Sequence, residues 1–244
     1  MPKVLVFDTE TTGLPSNFGI EYQPHIVQIA WQLWDTDGKT RSRAPILLDE
    51  KVYIIKPDGY IIPEESVRIH HIHHRKAVRN GVPIMFMLTE FDKVKKQADM
   101  VVCHNMAFDM LMMNIEHHRV FNEFPEGTPY PFVNFNPKFK RTFGDGPFDD
   151  TKPCFCTMES TTYLCKIPPT DRMRARYPEK PYKPPKLSEL YHHLFQREIP
   201  EEDLHDALSD TRNTWKCFNE LLYRGLVGTL SPRKKQLVAN DSSD

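Results

Sequence analysis

The sequence carries almost no net charge: its 244 residues hold 32 Lys+Arg against 33 Asp+Glu, a formal balance of −1. Long hydrophobic runs are missing too. None approaches the roughly 18 apolar residues of a membrane-spanning helix, which excludes such a helix and a membrane partner. The N-terminal apolar stretch ends at Asp8, too short for a secretory leader. Cysteine is scarce, with 5 residues at no disulfide-framework spacing. The expected compartment is therefore reducing and intracellular, cytoplasm or nucleus, and not secreted. Internal repeats are absent as well. What remains is an ordinary globular composition, 39% hydrophobic and 27% charged, in a chain long enough for a substantial core. As a total, near-neutrality speaks against a polyanionic partner. The distribution of charge along the chain reads differently.

The chain opens as a strand. Residues 4–9 are apolar on both alternating faces up to Asp8, the pattern of a central buried strand. His25 to Trp34 and Lys51 to Lys56 read as the next two strands, and the turn-rich Asp35–Gly38 suggests an antiparallel meander. Ile84, Met87, Leu88, Phe91 and Val94 then recur at helix spacing. Asp99 to His104 is a short apolar strand, and Asn105 is placed to cap a helix carrying Phe108, Leu111, Met112 and Ile115. Leu208, Thr211, Trp215, Phe218 and Leu222 mark a later amphipathic helix. Two stretches break the pattern and read as insertions on one scaffold: 122–153, without a period, and 167–186, basic and proline-rich. Residues 229–244 read as a polar, disordered tail after a domain covering 1–228. This order of strands and helices implies an α/β fold with a mixed sheet.

Carboxylates supply the chemical signal. Asp8 and Glu10 sit at i and i+2 of a strand, so both project from one face and can reach one point. Two acids at the end of a buried strand need a charge partner, and a divalent cation is the natural one. Thr11, Thr12, Gly13 and Leu14 follow in a turn where Gly13 permits close approach by a ligand. Asp109 falls in the first turn of the helix after Asn105, and Asp210 near the start of the last amphipathic helix.

Together, DTETTG at 8–13, HNMAFD at 104–109 and HDALSDT at 205–211 resemble the three motifs of the DnaQ-like 3′→5′ exonucleases, within the RNase H-like superfamily. More narrowly they resemble the DEDDh class, over roughly residues 3–224. The resemblance implies a central mixed five-stranded sheet flanked by helices. It also implies that Asp8, Glu10, Asp109 and Asp210 bind two Mg2+ ions, with Mn2+ able to substitute. His205, five residues before Asp210, then takes the position of the general base. In the same frame Thr11, Gly13 and Leu14 face the terminal nucleotide. Ser66–His73 is similar to the family's Ile-His-Gly-Ile stretch, with His71 where glycine is usual, and makes His70 a nucleotide-binding candidate. Asn105 either positions the strand or caps its helix.

The implied reaction is hydrolysis from the 3′ end of single-stranded nucleic acid or a frayed duplex, releasing nucleoside 5′-monophosphates, with DNA favoured. RNA trimming of the oligoribonuclease type and proofreading beside a polymerase, as a replication or repair partner, are the alternatives. Homodimers occur among relatives. A pure nucleic-acid-binding module is disfavoured, since a binder gains nothing from clustering like charges.

Other signals carry less. His70, His71, His73 and His74 point in different directions on a helix, and Cys154 and Cys156 are spaced C-x-C, so a zinc site is not expected. Cys103 and Met110, Met112 and Met113 read as packing. From Lys166 to Lys186, seven Lys/Arg (166, 172, 174, 176, 180, 183, 186) face two acids, Asp171 and Glu179, a local +5 with Tyr177 and Tyr182 interleaved. That run is either a single-strand-binding surface or a solvated loop.

Overall fold

The computed structural model describes residues 2–36, 44–121, 152–201 and 204–227. Five strands form one mixed sheet in the order β3-β2-β1-β4-β5, with β1 at Lys3–Thr11, β2 at Ile26–Asp35, β3 at Ile46–Ile54, β4 at Met100–Cys103 and β5 at Cys154–Cys156. The first three strands are an antiparallel meander; β4 runs parallel to β1, and β5 parallel to β4.

Because β1 is central, its alternation is apolar on both faces. Leu5 and Phe7 pack with Ile29, Trp31 and Leu33 of β2 against Met87, Leu88, Phe91 and Val94 of α3 (Ile84–Gln97) and Met112, Met113 and Ile115 of α4 (Met106–Phe121). Val4 and Val6 pack on the opposite face with Met100 and Val102 against Trp215 and Phe218 of α9 (Ala207–Tyr223). Trp34 stacks on Trp215 at 4.4 Å between ring centroids. A further layer joins α8 (Leu187–Phe195) to α9 through Leu190, Leu194, Cys217 and Leu221. Each fully buried aliphatic or aromatic side chain contributes about 1.5–3 kcal/mol of transfer free energy, so this two-sided core fixes where β1 ends.

Several boundaries differ from the sequence reading. The third strand spans Ile46–Ile54 rather than Lys51–Lys56. As the sheet edge it leaves Ile46, Leu47, Leu48 and Val52 more than a third exposed, so its first half shows no buried period-2 stripe. It ends early because Ile55 and Lys56 turn to pair with Val82. Two short helices, α1 (Glu64–His70) and α2 (His74–Asn80), lead from β3 to α3. Two more, α5 (Thr157–Ser160) and α6 (Thr162–Cys165), follow β5.

The basic insertion is ordered around α7 (Asp171–Arg176), where the Thr170 hydroxyl caps the helix by accepting from Met173 N at 3.3 Å. Its ends are closed by Lys183 N donating to Ile167 O at 2.9 Å. The 122–153 insertion, except its last two residues, and the 229–244 tail lie outside the described residues. All five cysteines are free thiols, in line with the absence of a disulfide framework. Among the described residues, no helix is long and apolar enough to cross a membrane.

Candidate active site

The three acidic motifs meet at the carboxyl ends of the parallel strands β1 and β4, where open α/β sheets place ligands. Asp8 and Glu10 leave β1 on the α9 side. Thr9, between them, faces the α4 side and is buried. Its amide and hydroxyl both donate to Asp109 Oδ1, at 3.1 and 2.8 Å. Asp109, 2% exposed in the first turn of α4, is thereby fixed beside the strand carrying the first two acids. Asp210 occupies the first turn of α9 and accepts from the His205 backbone amide. Glu10, His205 and Asp210 each offer a ligand atom within 4.8 Å of the others.

These groups share one field. Burial raises the Asp8 carboxyl well above its ordinary range, and repulsion from Asp109, Asp210, Glu10 and Asp206 raises it further. Glu10 is raised by burial and then by Asp210, Asp109 and Asp206. Burial also raises Asp109 against the pull of its two Thr9 hydrogen bonds. Asp210 is raised by burial, and the His205 amide pulls it partly back. A set of hard oxygen donors that cannot all ionise alone is the environment a divalent cation satisfies. By that test these residues fit one. His205 moves the opposite way: burial, then Lys186 and His71, hold its pKa below the usual histidine value. Its imidazole is neutral at physiological pH and able to accept a proton.

Backbone strain gathers here as well. Among the described residues, five non-glycine residues have left-handed backbones, and three surround the site: His71 at φ 58°, Asn105 at φ 66° and His205 at φ 60°. Each costs about 1–3 kcal/mol and persists only where its surroundings impose it. For His71 the reason is local: it is the left-handed C-cap of α1, its amide bonding Val67 O. Glycine's usual place there is explained by this cap rather than by close ligand approach.

The substrate-facing candidates separate. Leu14, which follows the first acidic motif, is 82% exposed. Thr11 Oγ1 donates to Gly13 O at 2.8 Å and holds the turn. Gly13 has φ 158°, a backbone that side-chain-bearing residues rarely adopt, and a Cβ there would meet nothing within 4 Å, so it is the backbone rather than crowding that favours glycine, and the space is open. Asn105 is half-buried where β4 passes into α4, and its carbonyl accepts from Phe108 N at 2.9 Å. His70, the nucleotide-binding candidate, is buried. It is 4% exposed, and its Nδ1 accepts from Ile72 N at 3.0 Å, binding the end of α1 to the next loop. The exposed imidazole of the pair belongs to His71.

Three residues given no role by the sequence reading position the site. Thr9 is the first. Gln28 of β2, directly opposite Glu10, bonds the start of α9 through Asp206 and Ala207. His104 Nε2 donates to Pro185 O at 3.1 Å while Nδ1 accepts from the Thr157 hydroxyl at 2.9 Å. Burial holds this ring neutral, with its pKa pushed down to about 4. That latch brings Lys186, the last cation of the basic insertion, to the site. These are contacts across long sequence separations between unremarked polar residues. A one-dimensional pattern contains no trace of them.

Residues 5–149 match the RNase_T family, described as exonuclease. No curated protein matches the sequence significantly. Among solved structures, the chain is similar to a moderately thermophilic exonuclease I from Methylocaldum szegediense, with 18% identity and a TM-score of 0.57 over 92% of this chain and 41% of that one. E. coli exonuclease I in complex with a dA16 oligonucleotide gives 16% identity and a TM-score of 0.58 over 92% and 41%. The zinc-bound E. coli exonuclease I–ssDNA complex gives 17% and 0.55 over 91% and 41%. The chain thus spans about two-fifths of the length of these structures, and at such identities the likeness is one of fold.

Proposed function

This chain belongs to the exonuclease family, and from that premise we propose that it is a metal-dependent 3′→5′ exonuclease of the DEDDh type, releasing nucleoside 5′-monophosphates from single-stranded DNA or frayed 3′ ends. The observation that carries the proposal is the convergence of Asp8, Glu10, Asp109 and Asp210, with the neutral imidazole of His205 within 4.8 Å of Glu10 and Asp210 ligand atoms.

Asp8, Glu10, Asp109 and Asp210 would hold two divalent ions, Mg2+ or Mn2+. Bound there, the ions supply Lewis-acid stabilisation of phosphate charge and lower the pKa of the attacking water. His205 accepts the proton that this water loses as its oxygen bonds to phosphorus. The P–O3′ bond then breaks, and the departing 3′ oxygen takes a proton from solvent. Burial first, and then Lys186 and His71, hold the His205 pKa below the usual histidine value, which keeps the ring ready to accept that proton. Leu14 offers an apolar surface to the terminal base beyond the Thr11–Gly13 turn. DNA is favoured because the solved exonuclease I structures with this fold contain ssDNA or dA16.

A 5′-labelled oligonucleotide tests this. A ladder shortening from the 3′ end with Mg2+ or Mn2+, abolished by chelator, is expected; internal cuts or chelator-resistant activity would overturn it. Parallel DNA and RNA substrates decide the sugar preference.

A further inference from the structure

We propose that Gln28 is the positioning residue that sets His205 and Asp210 over Glu10, acting through Asp206; the inference rests on the exonuclease reading above. Gln28 is 6% exposed on β2, and its Cα partner across the ladder is Glu10. Its carboxamide bridges two groups at once. Nε2 donates to Asp206 Oδ1 at 3.1 Å, and Oε1 accepts from Ala207 N at 3.0 Å. The other Asp206 oxygen caps α9 by accepting from Ser209 N at 3.1 Å. Two residues along β2, the Ala30 carbonyl accepts from Thr211 Oγ1 at 3.2 Å, and Ala30 is the ladder partner of Asp8. The strand that faces both β1 acids therefore pegs α9 on either side of Asp210, at Asp206–Ala207 and at Thr211. His205, held left-handed at φ 60°, is the residue immediately before the first peg.

The polarity of the bridge is fixed. A carboxylate can only accept and a peptide N–H can only donate, so the intervening side chain must present a donor and an acceptor side by side. Glutamine does so. The same bond also turns Asp206, a fifth carboxylate whose charge raises Asp8, Glu10 and Asp210, toward β2 and the helix cap.

Reversing the polarity tests this. Q28E sets an acceptor against the Asp206 carboxylate and should displace the first turn of α9. Q28E/D206N restores the pair, since the carboxamide introduced at position 206 would donate to the carboxylate introduced at position 28, and asparagine remains a good helix cap. The readouts are kcat on the p-nitrophenyl ester of thymidine 5′-monophosphate, which needs no polymer contacts, and Mn2+ affinity by calorimetry. Partners of this kind typically control activity or metal affinity by 10–100-fold. Q28E is therefore expected to lose roughly that factor in kcat with KM little changed, and the double variant to return within about threefold of wild type. If Q28E does not fold, Gln28→Met fills the same space without either hydrogen bond and should show the same loss in kcat. Wild-type kcat in folded Q28E or Q28M, or no recovery in Q28E/D206N, overturns the proposal. A wild-type protein that hydrolyses neither ester nor oligonucleotide overturns the exonuclease reading instead, and the Mn2+ affinities of the same variants then decide the role of Gln28.

Discussion

The acids at the ends of β1 and β4 and the cations between residues 166 and 186 are both charge clusters, yet the fold treats them in opposite ways. Asp8, Glu10, Asp109 and Asp210 are drawn out of water and forced into each other's field, so all four are raised by burial before any repulsion is added. Arg172, Arg174, Arg176, Lys180 and Lys186 remain exposed around α7 and its flanks. Arg176 and Lys180 lie 5.4 and 4.8 Å from the centre of the Tyr177 ring. Only Lys183 is drawn in, paired with Glu189 at 2.5 Å. A core that gathers like charges must hold them protonated or be matched by something of opposite sign, whereas exposed cations cost almost nothing and commit to nothing by themselves. Buried charge is thus the stronger functional evidence.

The sharpest break in that comparison comes from deleting a buried acid. Asp8→Ala or Asp210→Ala should lower 3′-end hydrolysis by roughly 10³-fold or more, since each removes charge stabilisation at the reacting phosphate. Retained activity in Asp210→Ala would mean that the cluster is structural only. Replacing His205 with Ala is expected to slow turnover by about 10²–10⁴-fold while calorimetric Mn2+ binding is largely kept, separating the base from the ligands.

The buried acids should also show themselves without any substrate. Their folded-state pKa values lie above those of the unfolded chain, with Asp210 raised to about 7, Asp109 to about 8 and Glu10 to about 9. The folded protein therefore binds more protons than the unfolded one above about pH 4, and linkage makes it less stable as pH rises through these values. Metal-free protein should lose thermal stability between pH 5 and 8. Added Mg2+ should raise Tm more at pH 8 than at pH 5, and Asp210→Asn should flatten the slope. A Tm independent of pH over this range would contradict the shared field.

The smallest effect belongs to the exposed cluster. If α7 follows a strand, replacing Arg172, Arg174 and Arg176 with Ala should weaken oligonucleotide binding and reduce its log–log salt slope by about 2, at about 0.7 per phosphate contact. Hydrolysis of a mononucleotide ester should be untouched. An unchanged slope would return the segment to the status of a solvated surface.

The sequence by itself determined the scaffold and the identity of the chemistry. Two-sided apolar alternation made β1 central, helix-period stripes placed α3, α4 and α9, and the i, i+2 spacing of Asp8 and Glu10 set both acids on one face at the strand's end. These are local patterns with a fixed period, so one dimension is enough to read them. The edge strand β3 was legible only in its second half, because Ile46, Leu47 and Leu48 are exposed on both faces and leave no alternation to read. His70 and His71 share one sequence neighbourhood, yet the first is a buried helix-end contact and the second is exposed, a difference the pattern does not show.

Only the tertiary structure decided which oxygen of Asp109 is tied by Thr9, that His104 latches Pro185, and that Gln28 holds the start of α9. Those bonds join residues 81 to 179 positions apart, so nothing in the local pattern pairs them. The same is true of charge. The near-zero total of −1 is a sum over the whole chain, while folding gathers the acids into one buried site and leaves all the cations of 166–186 but Lys183 on the surface. Composition fixes how much charge there is. Folding fixes where it meets water, and that sets what the charge can do.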